Sequence, residues 1–298
     1  MAQAQINGIS IEIDVQGAAD GEPVLLIMGL NSQLIRWAPA FVEKLVARGI
    51  RAIRFDNRDV GLSQKFSGLP NIQDVVATLM RGERPDVPYT LDDMAADAVG
   101  VLDHLGVGRA HVVGASMGGM IGQLVAADYP QRVLSFTSIM STSGNHALPQ
   151  ATPEAQAVLF TPAPNFRTAE AAFLDYAVQT ARTLGGPKYL IDETFLRERA
   201  LNAAKRSYDP TGAMRQLAAI TVNGDRRAKL AKITAPTLVM HGDEDPLVRV
   251  EGGRDTAACI PGADLEIIPG MGHDIPPVLY DTIVDGICRT IARAKQLA

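Results

Sequence analysis

The sequence predicts an α/β fold, with a mostly parallel central sheet, helices on both faces and a helical lobe inserted late in the chain. Three observations carry this prediction. Short β-branched apolar runs alternate with segments of helical periodicity. One of these runs, Ala110 to Gly114, passes through the glycine-flanked serine of GASMGG straight into a helical stretch. The alternation stops between about Ser141 and Lys232, where no convincing strand occurs, and then resumes. The expected organisation is a core of residues 1–140 and 233–298 with 141–232 as an inserted helical cap.

In chain order, Gln5 to Val15 alternates as a half-buried strand with Ile9, Ile11, Ile13 and Val15 on one face, the mark of a hairpin edge. Val24 to Met28 is continuously apolar between Pro23 and Gly29, as a central parallel strand is, and Gly29, Leu30 and Asn31 form the loop at its carboxyl end. A helix follows from about Pro39 to Arg48, stopped by Gly49, and Ile50 to Phe55 is the next strand. The polar stretch DNRDVGLS, Asp56 to Ser63, is expected to be a solvated loop. Lys65 to Pro88 is irregular, with one helix between Ile72 and Arg81. Thr90 and Asp93 form a capping box ahead of Met94, Ala98, Val101, Leu102 and Leu105, which recur at helical spacing. After the serine strand and helix, Val133 to Met140 is another buried strand. Helical patterns then fall near Ala155, over Ala169 to Leu184, Asp192 to Ser207 and Thr211 to Val222. The rhythm resumes with a strand at Pro236 to Met240, a helix at Val250 to Cys259 and a strand at Leu265 to Ile268. The final helix carries Leu279, Ile283, Ile287 and Ile291 four residues apart behind Pro276 and Pro277.

Composition narrows the function classes. A chain of 298 residues can bury a sizeable core, and a net charge of −5 with 20% charged residues favours no nucleic-acid surface. Cys259 and Cys288 lie in no metal-ligand or disulfide spacing, so a reducing compartment is expected. The amino terminus has no basic-then-apolar leader and no apolar run is long enough to span a bilayer, so a cytoplasmic protein without a membrane partner is expected. Oligomeric state is not legible.

Chemistry centres on Ser116. A strand-to-helix turn holds its serine in an unfavourable backbone conformation that lifts the hydroxyl into a cleft, with Gly114 and Gly118 letting strand and helix pass. The Met117 N–H, at the start of the helix, can then receive a developing oxyanion. A serine hydroxyl is nearly inert at neutral pH, so it needs a base and an acid to orient that base. His104 lies in a helix, His111 at the wrong end of the serine strand and His146 in the inserted lobe. His241 ends a strand at the correct edge and is a reserve candidate; His273, in PGMGHDIPP after the last strand, is better placed. The acid comes from HGDEDP, where Asp243, Glu244 and Asp245 are not separable by chemistry alone. That acidic turn lacks further ligands at suitable spacing, so no metal and no cofactor are expected.

Serine, acid, histidine is the chain order of the α/β-hydrolase fold, and GASMGG, HGDEDP and GMGH resemble the motifs of that superfamily over nearly the whole chain. The resemblance implies Ser116 as nucleophile, His273 as base and, three residues after the glycine of the His-Gly pair, Asp245 as acid. It also implies that MGLN supplies Leu30 N–H as a second oxyanion donor beside Met117 N–H, and it likens DNRDVGLS to a motif that follows the next strand in many members. The usual His-Gly of the oxyanion loop is Met28-Gly29 here, and the usual glycine after the arginine of the second motif is Asp59. With the aspartate-rich capped helix, these features are similar to aclacinomycin methylesterase-like carboxylesterases. The implied reaction is cleavage of small-molecule carboxylic esters. A serine nucleophile disfavours the aspartate-using dehalogenase and epoxide hydrolase branches. Carbon–carbon hydrolysis, lactone opening, cofactor-free perhydrolysis and a low-turnover ligand receptor remain compatible with the same residues. The lobe holds Phe160, Phe166, Phe173, Phe195, Tyr176, Tyr189 and Tyr208, from which an apolar acyl or alcohol pocket is expected, and its carboxylates and arginines are expected mostly to face solvent.

Overall fold

The computed structural model describes residues 2–297. Its strands are β1 (Ala2–Ile6), β2 (Ile9–Gln16), β3 (Glu22–Ile27), β4 (Ile50–Phe55), β5 (Ala110–Ala115), β6 (Val133–Ile139), β7 (Thr237–Gly242) and β8 (Asp264–Ile268). They form one eight-stranded sheet in the order β1-β2-β4-β3-β5-β6-β7-β8, parallel except where β2 pairs with β1 and β4. The helices are α1 (Pro39–Val46), α2 (Ile72–Met80), α3 (Leu91–His104), α4 (Met117–Asp128), α5 (Pro153–Phe160), α6 (Glu170–Leu184), α7 (Glu193–Arg206), α8 (Gly212–Asn223), α9 (Arg227–Leu230), α10 (Val250–Cys259) and α11 (Tyr280–Leu297).

The expected α/β architecture is therefore present, and the local reasons hold. The Thr90 hydroxyl accepts from Asp93 N–H while the Asp93 carboxylate accepts from Thr90 N–H, so α3 starts on the capping box. The stripe Leu279, Ile283, Ile287 and Ile291 is buried and packs with Trp37 and Phe41 on one face of the sheet. Leu102, Ile121, Leu124 and Phe136 belong to the cluster on the other. No helix among the described residues is long and apolar enough to cross a membrane.

Two local readings change. The alternating run Gln5 to Val15 is broken into a hairpin, because Asn7 and Gly8 take φ of 51° and 80°, the backbone of a tight two-residue turn. The second is the stretch DNRDVGLS, which is not solvated: Asp56, Asn57, Arg58 and Asp59 are all buried. Each charge is neutralised by a residue distant in sequence. Arg58 forms a two-pronged pair with Asp97 of α3 at 2.7 and 2.8 Å, and Asp59 accepts from Arg215 of α8 at 2.9 Å and from the Tyr89 hydroxyl at 2.5 Å. Removing one member of such a pair leaves the other as an uncompensated buried charge. We expect Arg58→Met to lower unfolding free energy by about 3–5 kcal/mol, read from denaturant midpoints. A variant as stable as the parent would mean that Asp97 finds another counter-charge.

The helical segment between β6 and β7, where the inserted lobe is expected, reaches the rest of the chain through similar contacts. Arg206 of α7 reaches Asp56 and the Gln33 carboxamide oxygen, each at 2.7 Å, and Arg226 donates to Gln123 Oε1 and to the Thr142 carbonyl. Arg206, Arg215 and Arg226 thus depart from the expectation that the lobe's charges face water. Asp56 and Asp59 lie on the loop after β4, Gln123 on α4 and Thr142 just after β6, all places that local sequence does not bring near these arginines.

Candidate active site

The turn between β5 and α4 places Ser116 at φ 56° and ψ −121°, a conformation disfavoured for any residue with a Cβ. The surroundings hold it there. Ser116 N–H donates to Ile139 O of β6 at 2.9 Å, while its own carbonyl accepts from Gly119 and Met120. A side chain at Gly118 would start 2.1 Å from the Ile27 carbonyl oxygen, so only glycine lets α4 begin this close to the end of β3.

His273 lies in the loop after β8, and Asp245 in the loop after β7. The structure brings both to the serine: His273 Nε2 is 2.9 Å from Ser116 Oγ, and Nδ1 is 2.7 Å from Asp245 Oδ2. A carboxylate can only accept, so Nδ1 carries the proton and Nε2 presents a lone pair to the hydroxyl. Asp245 is wholly buried, and its Oδ1 accepts from Leu247 and Val248 N–H, both at 2.9 Å. Burial alone would raise its pKa; the charge of His273 and hydrogen bonds from His241 and His273 outweigh that and hold it well below the usual range.

The neighbouring acids are not at this site. Asp243 and Glu244 are exposed, and Asp243 Oδ1 accepts from Gly270 N–H at 2.6 Å. The reserve candidate His241 is buried with Nε2 donating to the Val248 carbonyl and 3.5 Å from Asp245 Oδ2, so it lies behind the acid. His111 is held between Ser135 and Glu22 at the far end of the sheet, and His104 and His146 are exposed.

Of the two expected oxyanion donors, Met117 N–H opens α4, where the first amides have no intrahelical acceptor. Leu30 follows Gly29, whose Cα lies so close to the serine that an added Cβ would be 3.0 Å from Ser116 Cβ. Several contacts pin this loop: Asn57 Nδ2 donates to the Met28 carbonyl, Gln216 Oε1 accepts from Asn31 N–H, Asp56 Oδ1 accepts from Leu34 N–H, and Gln33 donates to the Ala203 and Ser207 carbonyls and accepts from Arg206. Asn57 and Gln216 were not singled out by sequence. The motif around Asn57 was a signal; nothing in the helical pattern of α8 marks Gln216.

The lobe also touches the histidine loop. His273 N–H donates to the Leu184 carbonyl at 2.7 Å, and Asp274, next in sequence, pairs with Arg36 at 2.7 Å and with Arg199 of α7 at 3.4 Å. Burial would raise the Asp274 pKa, but the Arg36 and Arg199 charges and the Ile275 N–H more than reverse this and lower it. A carboxyl depressed in the folded state contributes stability that is present above its unfolded pKa and lost as pH falls through the folded one. Asp274→Asn should therefore flatten the acid side of the stability profile below about pH 4, leaving a smaller loss between neutral and acid denaturation midpoints than in the parent. An unchanged acid limb would assign that loss to other carboxylates.

Three of the lobe's aromatic residues pack on one another, while Tyr189 packs against the core cluster on one face of the sheet. Phe166, Phe173 and Tyr208 form a ring cluster with centroids 5.4 to 5.9 Å apart, Tyr176 donates to the Thr161 carbonyl, and Phe160 is half exposed. A hollow of about 550 Å³, bordered by Lys65, Asn165, Arg167, Tyr208 and Asp209, lies where the loop after β4 meets the lobe; Ser116 is not part of its wall.

Against known proteins, residues 22–277 match the family described as alpha/beta hydrolase fold. The chain is 31% identical over 287 residues to rhodomycin D methylesterase DauP of Streptomyces sp. (strain C5), covering 89% of each chain. Rhodomycin D methylesterase DnrP of Streptomyces peucetius is 31% identical over 288 residues, again with 89% of each covered. Among solved structures, the enol-lactonase from Burkholderia xenovorans LB400 superposes with a TM-score of 0.69 at 21% identity, over 98% of this chain and all of that one, a likeness of fold.

Proposed function

Because the chain belongs to the α/β-hydrolase family, we propose that it hydrolyses carboxylic esters through a serine acyl-enzyme. The observation that carries this reading is the unbroken relay from Ser116 Oγ to His273 to Asp245 on a serine with positive φ. Ser116 Oγ attacks the ester carbonyl as its proton passes to His273 Nε2. Asp245 keeps the imidazole in the required tautomer and stabilises the imidazolium. Leu30 N–H and Met117 N–H receive the oxyanion. His273 then returns the proton to the departing alkoxide, releasing the alcohol, and water repeats the sequence on the acyl-enzyme to give the acid. These residues need no metal or cofactor for any proton or bond in the cycle.

A small alcohol as leaving group is supported by the two methylesterase relatives. The helical lobe of residues 141–232 acts as a lid, resting on the loops of Leu30, Asp56 and His273 and excluding water from the acyl-enzyme's surroundings. The two thiols, Cys259 and Cys288, are free, which supports work in a reducing compartment such as the cytoplasm. The deciding experiment is a screen of acyl and alcohol chain lengths, starting from methyl and ethyl esters, with both products detected by mass. Steady turnover of short-alcohol esters is expected. Stoichiometric binding without product would instead favour a ligand receptor that keeps the same residues.

A further inference from the structure

We infer that Gln216, on α8 of the lobe, is a positioning residue for the oxyanion loop, so that the oxyanion hole is complete only while the lobe is docked. The inference rests on the acyl-transfer reading above. Gln216 is fully buried. Its Oε1 accepts from Asn31 N–H at 2.8 Å and its Nε2 donates to the Arg58 carbonyl at 2.8 Å. The amide orientation is forced, because Asn31 N–H can only donate and the Arg58 carbonyl can only accept. One carboxamide therefore bridges the loop after β3 and the loop after β4, and it comes from a helix 185 residues further along the chain than Asn31.

The position of that bond matters. Ser32 N–H donates to the Gly29 carbonyl, so residues 29–32 form a β-turn with Leu30 and Asn31 at its centre, and Asn31 has φ 55°. A positive φ at the third residue is the type II arrangement, whose central peptide is the unit that rotates when such a turn changes type. Its N–H belongs to Asn31, and Gln216 holds it. Leu30 N–H, the proposed oxyanion donor, sits one residue away, between this pin and the Asn57 bond to the Met28 carbonyl. Asn31 itself is exposed, so water can replace a lost Gln216 acceptor; a mobile water follows the turn and does not hold it.

Gln216 is one of several ties between lobe and core: Gln33, just beyond the turn, is held by Ala203, Ser207 and Arg206, and among the described hydrogen bonds Gln216 supplies the lobe contact that ends within residues 29–32. Asn223, on the same helix, donates to Asp92 at 3.1 Å and touches no part of the oxyanion loop. Comparing the two separates loop positioning from lobe docking in general.

The test uses Gln216→Met, which keeps length and apolar volume but removes both bonds, with Asn223→Ala as the control. Each is assayed for ester turnover and for inhibition by a short alkyl trifluoromethyl ketone, whose adduct with the serine puts an oxyanion in the hole, and by the corresponding alcohol, which forms none. We expect Gln216→Met to lower kcat about tenfold or more with KM changed less than about threefold, and to weaken the ketone by the same factor as kcat/KM. The alcohol should bind Gln216→Met and the parent alike, and Asn223→Ala should resemble the parent throughout. Equal weakening of ketone and alcohol, or equal effects of the two substitutions, would overturn the inference. So would parental ketone affinity in Gln216→Met. If the parent turns over no ester, the acyl-transfer reading has failed separately. In that case, or if Gln216→Met does not fold, hydrogen exchange in the parent decides. Asn31 N–H should exchange at least about tenfold more slowly than Leu30 N–H, and equal rates would refute the bond to Gln216.

Discussion

Ser116→Ala is expected to leave the circular dichroism spectrum unchanged and to reduce ester kcat by a factor on the order of 10⁴ to 10⁶. The fold should survive because alanine keeps the Cβ already tolerated at φ 56°, and the strained turn is held by the main chain, through Ser116 N–H to Ile139 O and through the Gly119 and Met120 amides. What disappears is the hydroxyl that His273 Nε2 faces at 2.9 Å, and with it the nucleophile that forms the acyl-enzyme. Residual hydrolysis would come from water attacking an ester still polarised by the oxyanion donors, so it should be insensitive to serine-directed organophosphates. Near-parental kcat with an intact spectrum would remove Ser116 from the mechanism.

Asp245→Asn should lower kcat by about 10⁴-fold, whereas Asp243→Asn and Glu244→Gln should change it by less than about tenfold. Three acids sit side by side, but only one is buried against the imidazole. An asparagine there can still accept from Leu247 and Val248 N–H through its oxygen, so the loop after β7 keeps its shape. Its amide group then faces Nδ1 and donates to it, which drives the imidazole proton to Nε2. A protonated Nε2 cannot take the serine proton. Asp243 instead supports the Gly270 amide from the solvent side, where its loss is felt only through the loop that carries His273. Equal losses in all three variants would mean that the turn acts through bulk negative charge and not through one hydrogen bond.

The order of strands and helices was legible because each element advertises itself locally. The β-branched run Ile50 to Phe55 is β4, the helix foreseen at Val250 to Cys259 is α10, and Thr90 with Asp93 marked the start of α3 to the residue. The strand-to-helix turn at Ser116 was legible for the same reason, since a glycine on either side of a serine between a strand and a helix is a local backbone requirement. The likeness to the α/β-hydrolase family, read from GASMGG, HGDEDP and GMGH, and to its methylesterases, read from Met28-Gly29, Asp59 and the aspartate-rich capped helix, also agrees with the relatives found.

DNRDVGLS was misread as solvated because four polar residues in a row look hydrophilic until their partners are known. Those partners, Asp97, Arg215 and Arg206, come from three helices separated from the loop by up to 156 residues. The same limit hid Gln216, one of four polar side chains on α8, none of which the local pattern sets apart. By itself, the sequence determined the strand and helix order and the residue types offered at the ends of β5, β7 and β8, because hydrophobic period, caps and glycine turns act over a few residues. Only the tertiary structure decided which charges are buried, what holds the Leu30 turn and how close Asp245, the acid that the family spacing implies, comes to His273. Hydrogen bonds and ion pairs form between atoms within about 3 Å of each other, and that proximity is created by the packing of distant segments.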